Sequence, residues 1–244
     1  MTNDPADLSV RLLKAVRRGE SIDDLERTIA GYDPEELATG LDDDDARTAF
    51  WCNVYNAYAQ VLIEDRHELY ESSKRRFFGL EAIAVAGRKL SLNRIEHRLL
   101  RRSQFAWSLG YLGTPFPGSF ERSLRAEERD PRIHFALNCC ARSCPPIAAY
   151  TPARIDEQLD VATESYLSQH VRYEPEGGLL GRGVVHIPRL LLWYRGDFGG
   201  KSGILAMLRA FDLLPDGARP RLKHRAYDWS LAPGAFREPF EEQG

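Results

Sequence analysis

Between Asp130 and Ile147 the chain reads DPRIHFALNCCARSCPPI, which sets His134, Asn138, Cys139, Cys140 and Cys144 within one short stretch. A thiol, an imidazole and an amide are the parts of nucleophilic catalysis: a thiolate attacks, an imidazole takes or gives the proton, and a third group holds the ring. A second imidazole next to a carboxylate occurs upstream in RIEH, as Glu96 and His97. Proline fixes φ and lacks an N–H, so SCPPI puts Cys144 at the boundary of an element. If Pro145 opens a helical turn, Cys144 lies at its positive end, and the turn together with Arg142 would favour a thiolate. The expected catalytic set is therefore Cys144 and Cys139, with His97 or His134 as the imidazole and Glu96 or Asn138 as its orienting partner. His97, on a polar-flanked helix, is preferred to His134, which Ile133 and Phe135 flank in an expected strand.

Other chemistries use the same residues. Cys139, Cys144, His97 and His134 are a conceivable tetrahedral zinc set, but C-x4-C is a poor ligand spacing and no second short-spaced pair follows, so neither metal nor cofactor is expected. A thiol redox pair and a non-catalytic interaction module are the remaining alternatives. A small-molecule or peptide substrate is expected, while nothing in the sequence indicates an oligomeric state.

These residues need elements to position them. PADLSVRLLKAVRRGESIDDLERTIAG carries apolar residues at helical spacing with breaks at Gly19 and Gly31, which predicts two short supporting helices. LDDDDARTAFWCNVYNAYAQVLI opens on acids suited to a helix N-terminus and continues apolar on nearly every face, as a central helix does. Within it Asn53 and Asn56 stand three apart, so at least one buried amide must be bonded, and a clamp on residues 138–146 is the expected use. A short strand at 82–85, a turn at Gly87, and a helix capped by Ser91 or Asn93 come next, followed by a long loop over 103–129. RIHFALN alternates as a strand. TPARIDEQLDVATESYLSQH reads as a helix capped by Thr151 with Pro152 in its first turn, and VRYEPEGGLLGRGVVHIP as a hairpin. GILAMLRAFDLL supplies a late helix, and Asp197 and Asp228 suit turn anchors.

Four stretches in order, FWCNVYNAYAQVLI, LSLNRIEHRLLR, DPRIHFALNCCARSCPPI and LLLWYRGDFG, with a closing YDWSL, resemble the family called domain of unknown function 547, over roughly residues 49–231. The family pattern is similar to LNCGAxSCPP, which Cys139 and Cys144 match, whereas Cys140 stands where glycine is usual and Cys52 where an aliphatic residue is. Members occur as single bacterial and archaeal domains and, in plants, after leucine-zipper segments. The resemblance thus implies sites and an interaction role, and no reaction.

The expected architecture is one α+β domain, a small β-sheet packed against several helices, with papain- or transglutaminase-like folds as the type that would hold such a site. Residues 1–48 form its helical support, 49–231 its body and 232–244 a tail. A net charge of -3 and pI near 6.1 give no basic face for nucleic acid. With no apolar run long enough for a membrane span and no signal-like start, a cytoplasmic protein without membrane attachment is expected. Four cysteines in 244 residues are too few for a disulfide scaffold.

Overall fold

The long helix α4, Asp44–Ser72, organises the molecule, and in the computed structural model, which describes residues 4–175 and 183–237, nearly every side chain from Ala46 to Ile63 is buried. The Asp43 carboxylate starts it by accepting from the Ala46 N–H at 2.8 Å. Against it pack α1 (Pro5–Arg18) and α5 (Lys74–Phe78), while the short helices α2 (Asp23–Gly31) and α3 (Pro34–Gly40) pack on α1. The N-terminal support therefore has three helices where the glycine breaks predict two. Pro34 at the first turn and the Asp33 side chain accepting from Glu35 N–H start the extra one.

Strands β1 (Ile83–Val85) and β2 (Arg88–Leu90) make a hairpin whose turn residues Ala86 and Gly87 both have positive φ, 46° and 68°. After it Ser91 caps a single α-turn, α6 (Leu92–Arg94), and the chain widens into a π-helical turn over Ile95–Leu100, with Arg101 N–H donating to Glu96 O at 2.8 Å. Helix α7 (Ser119–Leu124) interrupts the loop expected over 103–129.

The strand expected at RIHFALN is instead a 3₁₀ turn, Pro131–Phe135. Pro131 presets a helical φ, and the Asp130 carboxylate caps the turn at Arg132 N–H, 2.8 Å away. Thr151 makes no side-chain cap; the Gln158 side chain takes its N–H, and a 3₁₀ turn at Pro152–Arg154 leads into α8 (Ile155–His170). Ile155, Leu159, Ala162 and Tyr166 form its buried face. Strands β3 (Arg172–Glu174) and β4 (Val184–Ile187) pair antiparallel as the hairpin reading requires; its connecting turn, 176–182, lies outside the described residues. β5 (Arg221–His224) adds in parallel to β4, with α9 (Leu190–Trp193) and α10 (Gly200–Ala210) between them in sequence.

The protein is thus α+β, and its apolar core has two parts, one around α4 and the hairpin, the other around the three-stranded sheet, α10 and the end of α8. The 131–137 stretch lies on the seam: Ile133, Ala136 and Leu137 pack into the first part and Phe135 into the second. Among the described residues no helix is long and apolar enough to cross a membrane.

Candidate functional site

At that seam lies a cavity of about 140 Å³, and it collects Cys139, His134, His97, Glu96 and Tyr227 on its wall, roofed by the aromatic rings of Trp193, Tyr194 and Trp229. Cys144 does not line it.

The cysteine loop is fastened to α4 by Asn56, and the chain just beyond it by Asn53. Asn56, fully buried, donates from Nδ2 to Ala136 O at 2.9 Å and accepts from Asn138 N–H at 2.8 Å. Asn53 holds Tyr150, beyond the loop, in the same two-sided way at 2.8 and 2.9 Å, and also donates to Ser9 Oγ. Asn138 is committed within the loop. Its Oδ1 accepts from Cys140 N–H and its Nδ2 donates to Pro145 O, so it orients neither imidazole as the sequence suggested. Cys140 has φ 61°, in the left-handed region that glycine enters freely, which explains why glycine suits this position. Its buried sulfur takes a hydrogen bond from Gln60 Nε2.

No helix follows Pro145; Ile147 instead bridges to Phe236, and Cys144 closes a turn by donating to Ala141 O. The helix-end stabilisation expected for Cys144 is absent. Arg142 is also turned away, to Ser230 Oγ and Asp228, with 68% of its side chain exposed. What holds Cys144 is its own loop. Cys139 and Cys144 Sγ are 2.6 Å apart, Cys139 N–H donates to Cys144 Sγ at 3.0 Å, and the Tyr227 hydroxyl lies 3.2 Å from Cys144 Sγ and 3.4 Å from Cys139 Sγ.

Burial alone would raise the Cys144 thiol, but the donors from Cys139, Tyr227 and the backbone outweigh it and hold its pKa below the ordinary value. Cys139 moves the opposite way, raised well above the ordinary thiol value by its bond to Cys144 and by burial. The two sulfurs thus titrate as a pair, with the first proton to leave coming from Cys144 and the second held on Cys139. Cys140, pushed up to about 12 by burial, and fully buried Cys52, raised further, stay protonated.

Tyr227 arrives from the far end of the chain. Residues 228–232 run beside 140–143, through Arg142 N–H to Ser230 O, Ser143 N–H to Asp228 O and Ala232 N–H to Cys140 O. YDWSL is an anchor, as expected, and what it anchors is a hydroxyl against the thiols.

Glu96 and His97 both face the cavity, although consecutive side chains on an α-helix diverge by about 100°. The π-turn, with more residues per turn, narrows that angle, and His97 Nδ1 comes within 3.5 Å of Glu96 Oε1. His97 Nδ1 is also 2.8 Å from Arg101 Nη1. A guanidinium only donates, so Nδ1 accepts and the proton of the neutral ring sits on Nε2. Burial lowers the His97 pKa and keeps the ring neutral. Burial would also neutralise Glu96, but the Arg101 guanidinium and a hydrogen bond from the Tyr194 hydroxyl oppose it, and its pKa lies below the ordinary value. Its Oε1 has no hydrogen-bond partner among the described residues.

His134 is the better-oriented imidazole. It stacks on Tyr194, centroids 3.7 Å apart, and its Nε2 lies 2.9 Å from Asp197 Oδ2. Asp197, with 2% of its side chain exposed, also accepts from Arg101 Nε at 2.6 Å and Arg129 Nη1 at 3.1 Å. Burial opposes its charge, yet these donors bring its pKa to about 2, so it is ionised and accepts the proton on His134 Nε2. Nδ1 of His134 is left with a lone pair. Burial lowers the pKa of this ring too, so it rests neutral. Gly110 makes room for the carboxylate: a Cβ there would meet Asp197 Oδ1 at 2.4 Å, and its φ is +87°.

Asp197 and Tyr227 are the members that sequence reasoning did not place in the site. Both lie in stretches singled out for their order, LLLWYRGDFG and YDWSL, but an acid and a phenol beside aromatics carry no signal of which distant group they meet. Among the described residues no three His, Cys, Asp or Glu side chains are grouped as metal ligands.

Compared with known proteins, the family model described as "Protein of unknown function, DUF547" matches residues 39–167, a span that holds both asparagines, the π-turn and the cysteine loop and stops short of Asp197 and Tyr227. No curated protein and no solved structure matches the chain.

Proposed function

The chain belongs to the DUF547 family, and we propose that it is a cysteine-centred acyl-transfer enzyme, hydrolysing or transferring the acyl group of a small amide or ester, with Cys139 as the nucleophile. The observation that carries this reading is the shared cavity, whose wall holds Cys139 together with an imidazole already fixed by an ionised carboxylate.

In the first half, the proton held on Cys139 moves to Cys144 as Cys139 Sγ bonds to the carbonyl carbon. The C–N or C–O bond breaks, and the leaving group takes the proton of the Tyr227 hydroxyl, which Cys144 replaces across their 3.2 Å contact. The Nε2–H of His97, held outward by Arg101, is a neutral donor for the developing oxyanion. In the second half, water attacks the thioester and gives a proton to His134 Nδ1, while Asp197 stabilises the imidazolium. Cys139 leaves as thiolate and takes that proton back, restoring the starting pair.

The test uses p-nitrophenyl acetate in single turnover with intact-mass and peptide mapping. Acetyl is expected on Cys139, absent in Cys139→Ser, and accumulating in His134→Ala because deacylation is slowed. Acetylation no faster than in Cys139→Ser, or mapping to Cys144, overturns the assignment.

The 2.6 Å sulfur contact favours a second reading, dithiol exchange. Cys139 would attack a disulfide, expelling one thiolate, and Cys144 would then attack Cys139 Sγ to release the other, so that the substrate gains two electrons and the pair becomes a disulfide. Stoichiometric reduction of hydroxyethyl disulfide, lost in Cys144→Ala, supports it; no thiol release argues against it.

A further inference from the structure

We infer that the cavity is built to receive an ammonium group, so that the substrate of the site carries a positively charged amine close to the acyl carbon. The inference deepens the acyl-transfer reading, since it names the substrate class of the same cavity.

Three observations support it. Glu96 is 93% buried by its 7% exposure, lines the cavity, and leaves Oε1 without a hydrogen-bond donor among the described residues. His97 does not supply that donor: its Nδ1, 3.5 Å from Oε1, is occupied by accepting from Arg101. A buried carboxylate oxygen with no donor is costly, and a ligand that brings N–H groups would relieve it.

The rest of the wall suits a cation rather than a neutral amide. Trp193, Tyr227 and Trp229 form one aromatic cluster with ring centroids 4.7–5.6 Å apart, and all three line the cavity. Aromatic faces attract ammonium groups, more strongly when the site excludes water. This cluster already takes one: Lys74 Nζ lies 5.8 Å from the Trp229 centroid. A carboxylate and three aromatic rings lining one cavity form a receptor for a compact cation. Its volume of about 140 Å³ admits a group of a few heavy atoms and excludes a long chain.

Binding is measured first, apart from catalysis. Ethylammonium is titrated into the wild type, and into Cys139→Ser, at constant ionic strength, with tryptophan fluorescence as the readout and ethanol as the neutral control. Saturable quenching by ethylammonium alone is expected, retained in Cys139→Ser and weakened about tenfold or more in both Glu96→Gln and Trp193→Leu. Equal responses to ethylammonium and ethanol, or unchanged affinity in Glu96→Gln at intact circular dichroism, overturn the inference. The kinetic arm compares p-nitrophenyl esters of glycine and propionic acid, which exchange ammonium for methyl. The wild type should favour the glycine ester in kcat/KM, and Glu96→Gln should lose that ratio. Turnover of both esters through Cys139 at a ratio near one refutes the ammonium site and leaves the nucleophile standing. Ammonium binding without acylation of Cys139 does the reverse.

Discussion

Replacing Asn56 by alanine separates the fastening of the cysteine loop from the fastening of the rest of α4. Asn56 bonds two backbone groups, Ala136 O and Asn138 N–H, at 2.9 and 2.8 Å, and it is fully buried, so alanine leaves one acceptor and one donor without partners. An unpaired buried polar group costs about 1–3 kcal/mol, which gives about 2–6 kcal/mol for the two. For a chain of this size, the centre of that range lowers Tm by roughly 8–16 °C. Asn53→Ala leaves the two groups of Tyr150 unpaired and should cost about as much, while the Ser9 hydroxyl keeps its bond to Ala6 O. The functional readouts should differ. Asn138 N–H sits one residue before the nucleophilic sulfur, so Asn56→Ala should slow iodoacetamide labelling of Cys139 under native conditions, whereas Asn53→Ala should leave it close to wild type. Calorimetry with labelling by mass spectrometry measures both quantities. Unchanged Tm for Asn56→Ala, or equal labelling losses in the two variants, would show that the amide does not set the loop.

The order of thiol labelling should be Cys139 first, with Cys52 and Cys140 protected until unfolding, since both are fully buried with raised pKa values; labelling of Cys52 ahead of Cys139 in the native protein contradicts this. The pH midpoint of Cys139 alkylation should lie above that of a free thiol in the wild type, move down in Cys144→Ala, which removes the bond that raises it most, and move up in Tyr227→Phe, which removes a donor; three overlapping profiles would mean that the three groups do not interact. Asp197, with its pKa depressed to about 2 in the folded protein, binds fewer protons there than in the unfolded chain, so its contribution is present above about pH 4 and lost as pH falls toward 2. That contribution is about 2–3 kcal/mol, and the acid-unfolding profile of Asp197→Asn should lack it; matching profiles would refute the assignment. Cys140→Gly should change stability by no more than about 1 kcal/mol, since relief of the left-handed backbone offsets the lost burial of the side chain; denaturant titration checks it.

Local physics was legible in the sequence. Apolar spacing disclosed α4, α8 and α10, the Gly87 turn disclosed the hairpin, and two amides three apart on an apolar helix disclosed a buried clamp, because each of these depends on neighbours within one or two turns of chain. The same logic misread RIHFALN, whose alternation matches a strand but whose Pro131 and capping Asp130 impose a 3₁₀ turn. It left open a helical turn after Cys144, where proline is compatible with either continuation, and the chain continues there without a helix. Which sulfur faces the cavity, which nitrogen of each imidazole carries the proton, and why Glu96 lacks a donor were decided only by the tertiary structure. The reason is chain separation: Asp197 meets His134 across 63 residues and Tyr227 meets Cys139 across 88. Composition and periodicity describe what a segment needs to bury, and not which remote partner will satisfy it. The two parts of the core choose those partners when they close on the seam that carries His134.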